Sequence, residues 1–328
     1  MSRPRVGFLG VGWIGRHRLQ AMLATGAIEA VAVADPSLEM VAEALALAPG
    51  AQAVGDLDAM LALGLDGVVI ATPSAMHADQ SIRAFDAGAA VFCQKPLGRD
   101  AAEAAGVVAA ARRADRLLSV DFSYRYTAGM QAIAPLIRDG ELGRIFAVDL
   151  VFHNAWGPGK PWFFDRAQSG GGCVMDLGVH LVDLALWTLG FPAVEGAVEA
   201  RLFAGGAPLA GDGVEDFATA FFALAGGTAV RLACSWHANA GREAVIEARF
   251  FGTHGGAALR NVDGSFYDFV AERYRGTAAE TLAGGADEWG GRAAAAWARA
   301  LAGSPRFDPA AERLVEVAGV LDRIYAAG

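Results

Sequence analysis

Cysteine is scarce in this chain: Cys93, Cys173 and Cys234 are the three it has, far apart in 328 residues. Dispersed thiols of that number make neither a disulfide framework nor a metal-knuckle spacing. Each lies in an apolar stretch, so buried thiols of a cytoplasmic protein are expected. Positive charge is also short, with 27 Lys plus Arg against 36 Asp plus Glu and a net charge of −9. An acidic surface argues against a nucleic-acid backbone as the main partner. Long uncharged apolar runs are missing, and none reaches the ~18–20 residues of a bilayer span. The longest, Phe217 to Val230, is split by Gly226 and Gly227 and flanked by Asp216 and Arg231. The opening MSRPRVGFLGVG enters a strand-like run without an apolar segment and small-residue cleavage site, so no secretory signal is expected.

What is present is apolar and small. Hydrophobic residues make up 54% and charged residues 19%, too apolar for a disordered chain, with 42 Gly adding to an Ala-rich background. At ~150 residues per domain the length predicts two domains, either able to bury its own core.

Strand and helix signals alternate over the first part. Apolar runs at Arg5–Gly10, Glu29–Asp35, Gly67–Thr72, Ala90–Gln94 and Leu117–Phe122 read as parallel strands covered on both faces. Helical segments fall between them, with start signals at Pro36-Ser37 and Asp100. The alternation predicts an open, doubly wound parallel sheet over residues 1–121. From residue 122 to 328 the texture changes to longer alternating runs with Gly-rich turns, together with Ala-rich helices. That pattern predicts an α+β domain with an antiparallel sheet covered on one face.

The first strand runs into Gly10-Val11-Gly12-Trp13-Ile14-Gly15, a G-x-G-x-x-G. Gly10 permits the tight turn, Gly12 lets the backbone approach a pyrophosphate, and Gly15 allows close helix–sheet packing. A second strand ends at Asp35, where a carboxylate accepts hydrogen bonds from ribose hydroxyls. That carboxylate repels a 2′-phosphate, and Pro36, Ser37 and Leu38 supply no Arg to pair with one. NAD is therefore expected over NADP, with Arg16 nearby in sequence as the opposing consideration.

Further along, Thr72 and Pro73 end the fourth segment at the ligand-binding edge of such a sheet. His77 follows, either as a cofactor contact or as an ordinary polar residue at a helix start. Gln94 and Lys95 end the fifth strand, and the ammonium reads either as a neighbour of the nicotinamide or as a solvated strand end. Later, Gly170-Gly171-Gly172 precede Asp176 and His180, four apart and on one face if helical. A metal would need a third ligand that is not evident, and an ordinary helical Asp–His pair is the other reading.

These stretches, GFLGVGWIG, ATPSAMH, CQKPL and GGGCVMDLGVHLVD in that order, resemble the Gfo/Idh/MocA family of NAD(P)-dependent oxidoreductases. The resemblance implies a Rossmann domain followed by an α/β domain with a large, mostly antiparallel open sheet. It also implies Lys95, Asp176 and His180 as active-site residues, while the glycine turn and the strand ends place Gly10, Gly12, Trp13, Ile14, Gly15, Asp35, Thr72, Pro73, His77, Gln94 and Lys95 as the residues expected around the cofactor. One departure stands out: the family usually has Glu before the Lys, and Gln94 keeps hydrogen-bonding capacity without the negative charge.

The implied chemistry is hydride transfer between NAD(H) and a secondary alcohol or carbonyl of a sugar, sugar derivative or cyclitol. His180 has the natural range for a base near neutrality, and Lys95 would steady an alkoxide or relay the proton. Asp176 would orient the hydroxyl. The aromatic, polar loop from His153 to Arg166 suits a ring with C–H faces and hydroxyl edges, which makes Arg125, His153 and Trp162 candidate substrate contacts, and Tyr267 a weaker one. Two other classes remain: a redox-neutral glycosidase that retains NAD, as some family members are, and a non-enzymatic NAD(P) sensor. A sheet covered on one face leaves a broad surface, so a homodimer or homotetramer through the second domain is expected.

Overall fold

The computed structural model describes residues 2–328. Short Val- and Ala-rich runs, mostly buried, form the six-stranded parallel sheet of the first unit, with a two-residue exposed strand at one edge. Its strands are β1 (Arg5–Leu9), β2 (Glu29–Ala34), β3 (Gln52–Ala53), β4 (Gly67–Ile70), β5 (Ala90–Cys93) and β6 (Leu118–Val120). They lie in the order β3-β2-β1-β4-β5-β6, reversing direction of growth between β1 and β4. The crossovers are α1 (Trp13–Ala24), α2 (Leu38–Leu47), α3 (Leu57–Leu61), α4 (Ser74–Asp86) and α5 (Ala101–Ala114). Ser37 caps α2 by accepting from Met40 N, and Asp100 caps α5 by accepting from Glu103 N.

The second unit is built on a nine-stranded sheet. After α6 (Ala128–Arg138) come β7 (Ile145–Asn154), the short α7 (Arg166–Ser169) and α8 (Val179–Leu189). The remaining strands are β8 (Val194–Ala204), β9 (Ala207–Pro208), β10 (Phe217–Leu224), β11 (Thr228–Ser235), β12 (Ala244–Gly252), β13 (Gly256–Asn261), β14 (Phe269–Arg275) and β15 (Ala278–Ala283). Their order is β15-β14-β13-β12-β7-β11-β10-β8-β9, antiparallel except where β7 meets β11. Burial alternates along β10, with Ala218, Ala220 and Phe222 inward and Phe217, Thr219 and Phe221 outward. One face is thus covered, as α6 and α8 supply apolar sides such as Ile133 and Leu184.

The chain does not divide at a single point. Residues 122–290 and 316–328 form the second unit, but residues 291–315 return to the first. This corrects the expectation of one continuous domain over 122–328. The reason is α9 (Arg292–Gly303), whose Trp297 packs on Phe92 of β5 at 5.8 Å between ring centroids, against a wall left open by Gly67. The last helix, α10 (Arg313–Ala327), carries Tyr325 into the second unit. Among the described residues, no helix is long and apolar enough to cross a membrane.

Candidate active site

In the first unit, the C-terminal ends of the parallel strands collect most of the expected cofactor residues along one edge, the usual ligand edge of such a sheet. Gly10 leaves β1 with φ +82°, and a Cβ there would fall 2.5 Å from the Ala71 carbonyl oxygen. A Cβ on Gly15 would fall 2.0 Å from the Gly10 carbonyl oxygen, so α1 reaches this close to the sheet only as glycine. Gly12 caps α1 without a side chain, and the first turn holds no acidic residue, which leaves the positive end of the helix dipole uncompensated. Trp13 is exposed there and stacks on His17, while Ile14 is half-buried. Asp35 accepts from Val11 N and from Ser37 N, each at 2.9 Å, so its carboxylate is fixed beside the glycine turn. A close-approach turn, an uncapped helix start and a fixed carboxylate fit a bound dinucleotide.

Three neighbours at that edge have other duties. Thr72 donates through Oγ1 to Gln80 Oε1 at 2.6 Å, and Pro73 caps α4. His77, four residues into α4's first turns rather than at its start, is buried. Its ring nitrogens lie 2.6 Å from the Pro96 carbonyl oxygen and 2.7 Å from that of Thr72. Burial pushes the His77 pKa down, while the two carbonyls pull it back. The expectation of His77 as a cofactor contact is corrected, because main-chain carbonyls occupy its polar atoms and it braces two strand ends. Gln94 donates through Nε2 to Asp121, a buried carboxylate that the motifs do not mark. Lys95 follows it, half-buried.

In the second unit, Asp176 and His180 stand on one stretch, but not on a regular α-helix. Val174–Gly178 forms a π turn that runs directly into α8. Such turns widen the helix locally and recur at functional sites. Asp176 is the one residue from Cys173 to His180 that is not fully buried. Trp236, at the end of β11, donates its indole N–H to Asp176 Oδ2 at 3.0 Å. The same indole meets Phe163 and Phe164 edge-on, and Phe163 stacks on Trp162 at 3.8 Å, so the aromatic loop reaches the Asp176 carboxylate through Trp236. His180 lies against Tyr124 at 4.9 Å and Phe152 at 6.4 Å. Burial pushes the Tyr124 hydroxyl pKa up, with the Asp176 charge adding to it.

Two expected substrate contacts stand elsewhere in this unit. Arg125 binds both oxygens of Asp183 and is ringed by Phe122, Trp187 and Phe191 at 5.2–5.8 Å. Its role is therefore corrected to an internal ion pair. His153 is on the outward face of the sheet, stacked on Phe217 and bonded to Ser235 Oγ, while its neighbour Phe152 faces His180 on the covered side. Strand alternation sends adjacent side chains to opposite faces, which removes His153 from the Asp176 cluster. Burial pushes the His153 pKa down. Trp236, the hydrogen-bond partner of Asp176, is a residue of this cluster that the motifs do not mark. The signal available was a Trp closing an alternating strand, ambiguous between core and site.

Residues 4–122 match the family model described as "Oxidoreductase family, NAD-binding Rossmann fold", and residues 130–258 match that of the "GFO/IDH/MocA C-terminal domain". D-glucoside 3-dehydrogenase of Escherichia coli (strain K12) is 32% identical over 206 residues, covering 62% of this chain and 58% of that protein. Inositol 2-dehydrogenase of Rhizobium meliloti (strain 1021) is 33% identical, with 57% of this chain and 55% of that protein aligned. The chain thus spans little more than half the length of these curated relatives. A longer match, 32% identical over 78% of this chain and 75% of the relative, is to a protein of Amycolatopsis mediterranei (strain S699) provisionally named as a UDP-kanosamine synthase oxidoreductase subunit. Among solved structures, levoglucosan dehydrogenase in complex with NADH and levoglucosan superposes with a TM-score of 0.83 at 21% identity, covering 99% of this chain and 97% of that one. A 3-ketoreductase from Actinomadura kijaniata in complex with NADP and TDP-benzene gives 0.83 at 22%, covering 99% and 98%. At those identities the structures speak for the fold, and the sequence matches for descent: the chain belongs to the GFO/IDH/MocA family of oxidoreductases.

Proposed function

We propose that this chain is an NAD-dependent dehydrogenase or reductase acting on a secondary alcohol or carbonyl of a sugar, sugar derivative or cyclitol. The observation that carries the cofactor half is the Gly10–Gly15 turn closed against Ala71 beside a fixed Asp35. NAD is preferred because Asp35 puts a negative charge where a 2′-phosphate would lie. Arg16 does not offset it, since its guanidinium pairs with Glu43 on α2. The substrate class is supported by the relatives' names, which include D-glucoside 3-dehydrogenase and inositol 2-dehydrogenase.

When bound, the nicotinamide supplies hydride acceptance or donation. The chain's own residues bind, orient and move one proton. Asp176, held by the Trp236 indole, orients a substrate hydroxyl. His180, fixed edge-on against Tyr124, takes the hydroxyl proton in oxidation and returns it in reduction, and Lys95 steadies the developing alkoxide or relays that proton. The Trp162–Phe163 stack offers a flat apolar wall for the C–H face of a ring. Three buried free thiols support a cytoplasmic setting. The outward face of the second unit's sheet is proposed as the contact between copies of this chain.

The test is a panel of aldoses, inositols and sugar acids with NAD and NADP separately, followed by nicotinamide absorbance. NAD reduction by one structural class is expected, with Lys95→Ala and His180→Ala each lowering kcat by about 100-fold or more while melting stays unchanged. Near-wild-type turnover in both variants would show the proton handling to be misassigned. A silent panel from protein that releases NAD on denaturation would move the reading to the redox-neutral glycosidase or the sensor.

A further inference from the structure

The Gln that stands before Lys95, where the family resemblance leads to Glu, has a structural counterpart one strand away. Gln94 Nε2 donates to Asp121 Oδ2 at 2.5 Å, and Arg18 Nε donates to the same oxygen at 2.5 Å. Asp121 is 1% exposed and Arg18 6%, so the carboxylate and its guanidinium are withdrawn from water together. The other carboxylate oxygen, Asp121 Oδ1, is buried with no hydrogen-bond partner. β5 and β6 pair in parallel through Val91↔Leu118, Phe92↔Ser119 and Cys93↔Val120, which makes Gln94 and Asp121 the next positions of the same ladder. Asp121 N extends it by donating to the Cys93 carbonyl at 2.9 Å. Arg18 comes from α1, the helix that Gly12 opens.

One guanidinium in this setting balances one carboxylate. A Glu at 94 beside Asp121 would place two anions within hydrogen-bond reach of each other, and one would have to take up a proton. Glutamine at 94 is therefore the donor that a carboxylate at 121 requires. We propose that Asp121 is a positioning residue of the site: it supplies the buried negative charge at the end of β6 that Arg18 balances, and through the Gln94 amide it fixes the strand end from which Lys95 follows. The proposal rests on the reading of Lys95 as a proton-handling group.

The experiment compares wild type, Gln94→Glu, Asp121→Asn and the double variant Q94E/D121N, which returns the charge to position 94. Three quantities are read: melting temperature, kcat and KM on the best panel substrate, and acylation of Lys95 relative to Lys160 by peptide mapping. The last is clean because the chain contains only those two lysines. Each single variant is expected to melt lower, to lose about tenfold in kcat with KM for NAD little changed, and to alter Lys95 labelling. The double variant is expected to recover all three, since the effects of two partners in one network do not add. If neither single variant folds, a folded double variant with wild-type labelling carries the same support. Additive losses in the double, or a Q94E that behaves as wild type, overturn the proposal. Recovery of melting without recovery of Lys95 labelling makes Asp121 structural only and also overturns it. Should wild type turn over nothing on the panel, the proposed activity fails, while melting and labelling still decide the role of Asp121.

Discussion

Asp183 is 1% exposed, and an ionised carboxylate there needs a partner that is itself withdrawn from water. Arg125 supplies it through two N–H groups, backed by the faces of Phe122, Trp187 and Phe191. Burial pushes the Asp183 carboxyl pKa up and Arg125 opposes the shift, so the pair is held by geometry against a desolvation cost. Arg125→Ala should therefore cost about 3–5 kcal/mol in urea unfolding, because it strands a buried charge. The double variant R125M/D183L should cost much less, since no charge is left behind. The KM for substrate should be unchanged in the folded fraction of R125A. A KM raised many-fold there would return Arg125 to the substrate.

The turn ahead of Asp176 shows what the three glycines are for. A Cβ on Gly171 would fall 1.9 Å from the Tyr325 hydroxyl oxygen, and one on Gly172 would fall 1.9 Å from the Glu215 carbonyl oxygen. Both glycines thus admit protein rather than a ligand. The Glu215 carboxylate, fully buried, accepts from Gly172 N, Val174 N and the Tyr325 hydroxyl, which gathers the start of the π turn around one anion. Burial pushes the Glu215 pKa up, and these donors pull against it. Tyr325→Phe removes a hydrogen bond to a charged acceptor and should cost about 1.5–3 kcal/mol in urea unfolding. Gly172→Ala should cost more, because its clash is with backbone that cannot rotate away. Wild-type stability in both variants would mean that the turn is held by something else.

The second unit presents one sheet face that its own helices do not cover. Across that face the register aligns Glu199, Phe221, Arg231, Asp149, Arg249 and Ala258 on successive strands. Charges alternate along the row, with Arg231 paired to Asp149 by both carboxylate oxygens, and Phe217, Phe221, Phe146 and Phe251 stand exposed around it. A row of alternating sign is complementary to its own copy turned about a two-fold axis, the usual relation in a homodimer. Light scattering at micromolar concentration should give a multiple of 33.9 kDa, and the double variant R231E/R249E should shift it towards the monomer. A monomeric wild type would sink the oligomer proposal.

Local pattern reached far into this chain. Buried parallel strands, the turn from Gly10 to Gly15, the caps at Ser37 and Asp100 and the alternating strands β7, β8, β10, β11 and β12 each depend on residues close in sequence, and so could be read from it, whereas the two-residue β3 and β9 carry no such pattern. Where period or turn chemistry was weak, the reading stopped: β15 is Ala-rich and exposed with no alternation, and β13 follows two glycines with an almost wholly buried run. The sequence by itself determined the family, the dinucleotide turn, the acid at the end of β2 and the Lys, Asp and His that travel with them. Tertiary structure alone decided which polar side chains are spent inside the fold. His77 goes to two carbonyls, Gln94 to Asp121 and Arg125 to Asp183, partners 19, 27 and 58 residues away. The physical reason is that a buried polar group must find its partner wherever the chain returns, and sequence spacing does not record where that is.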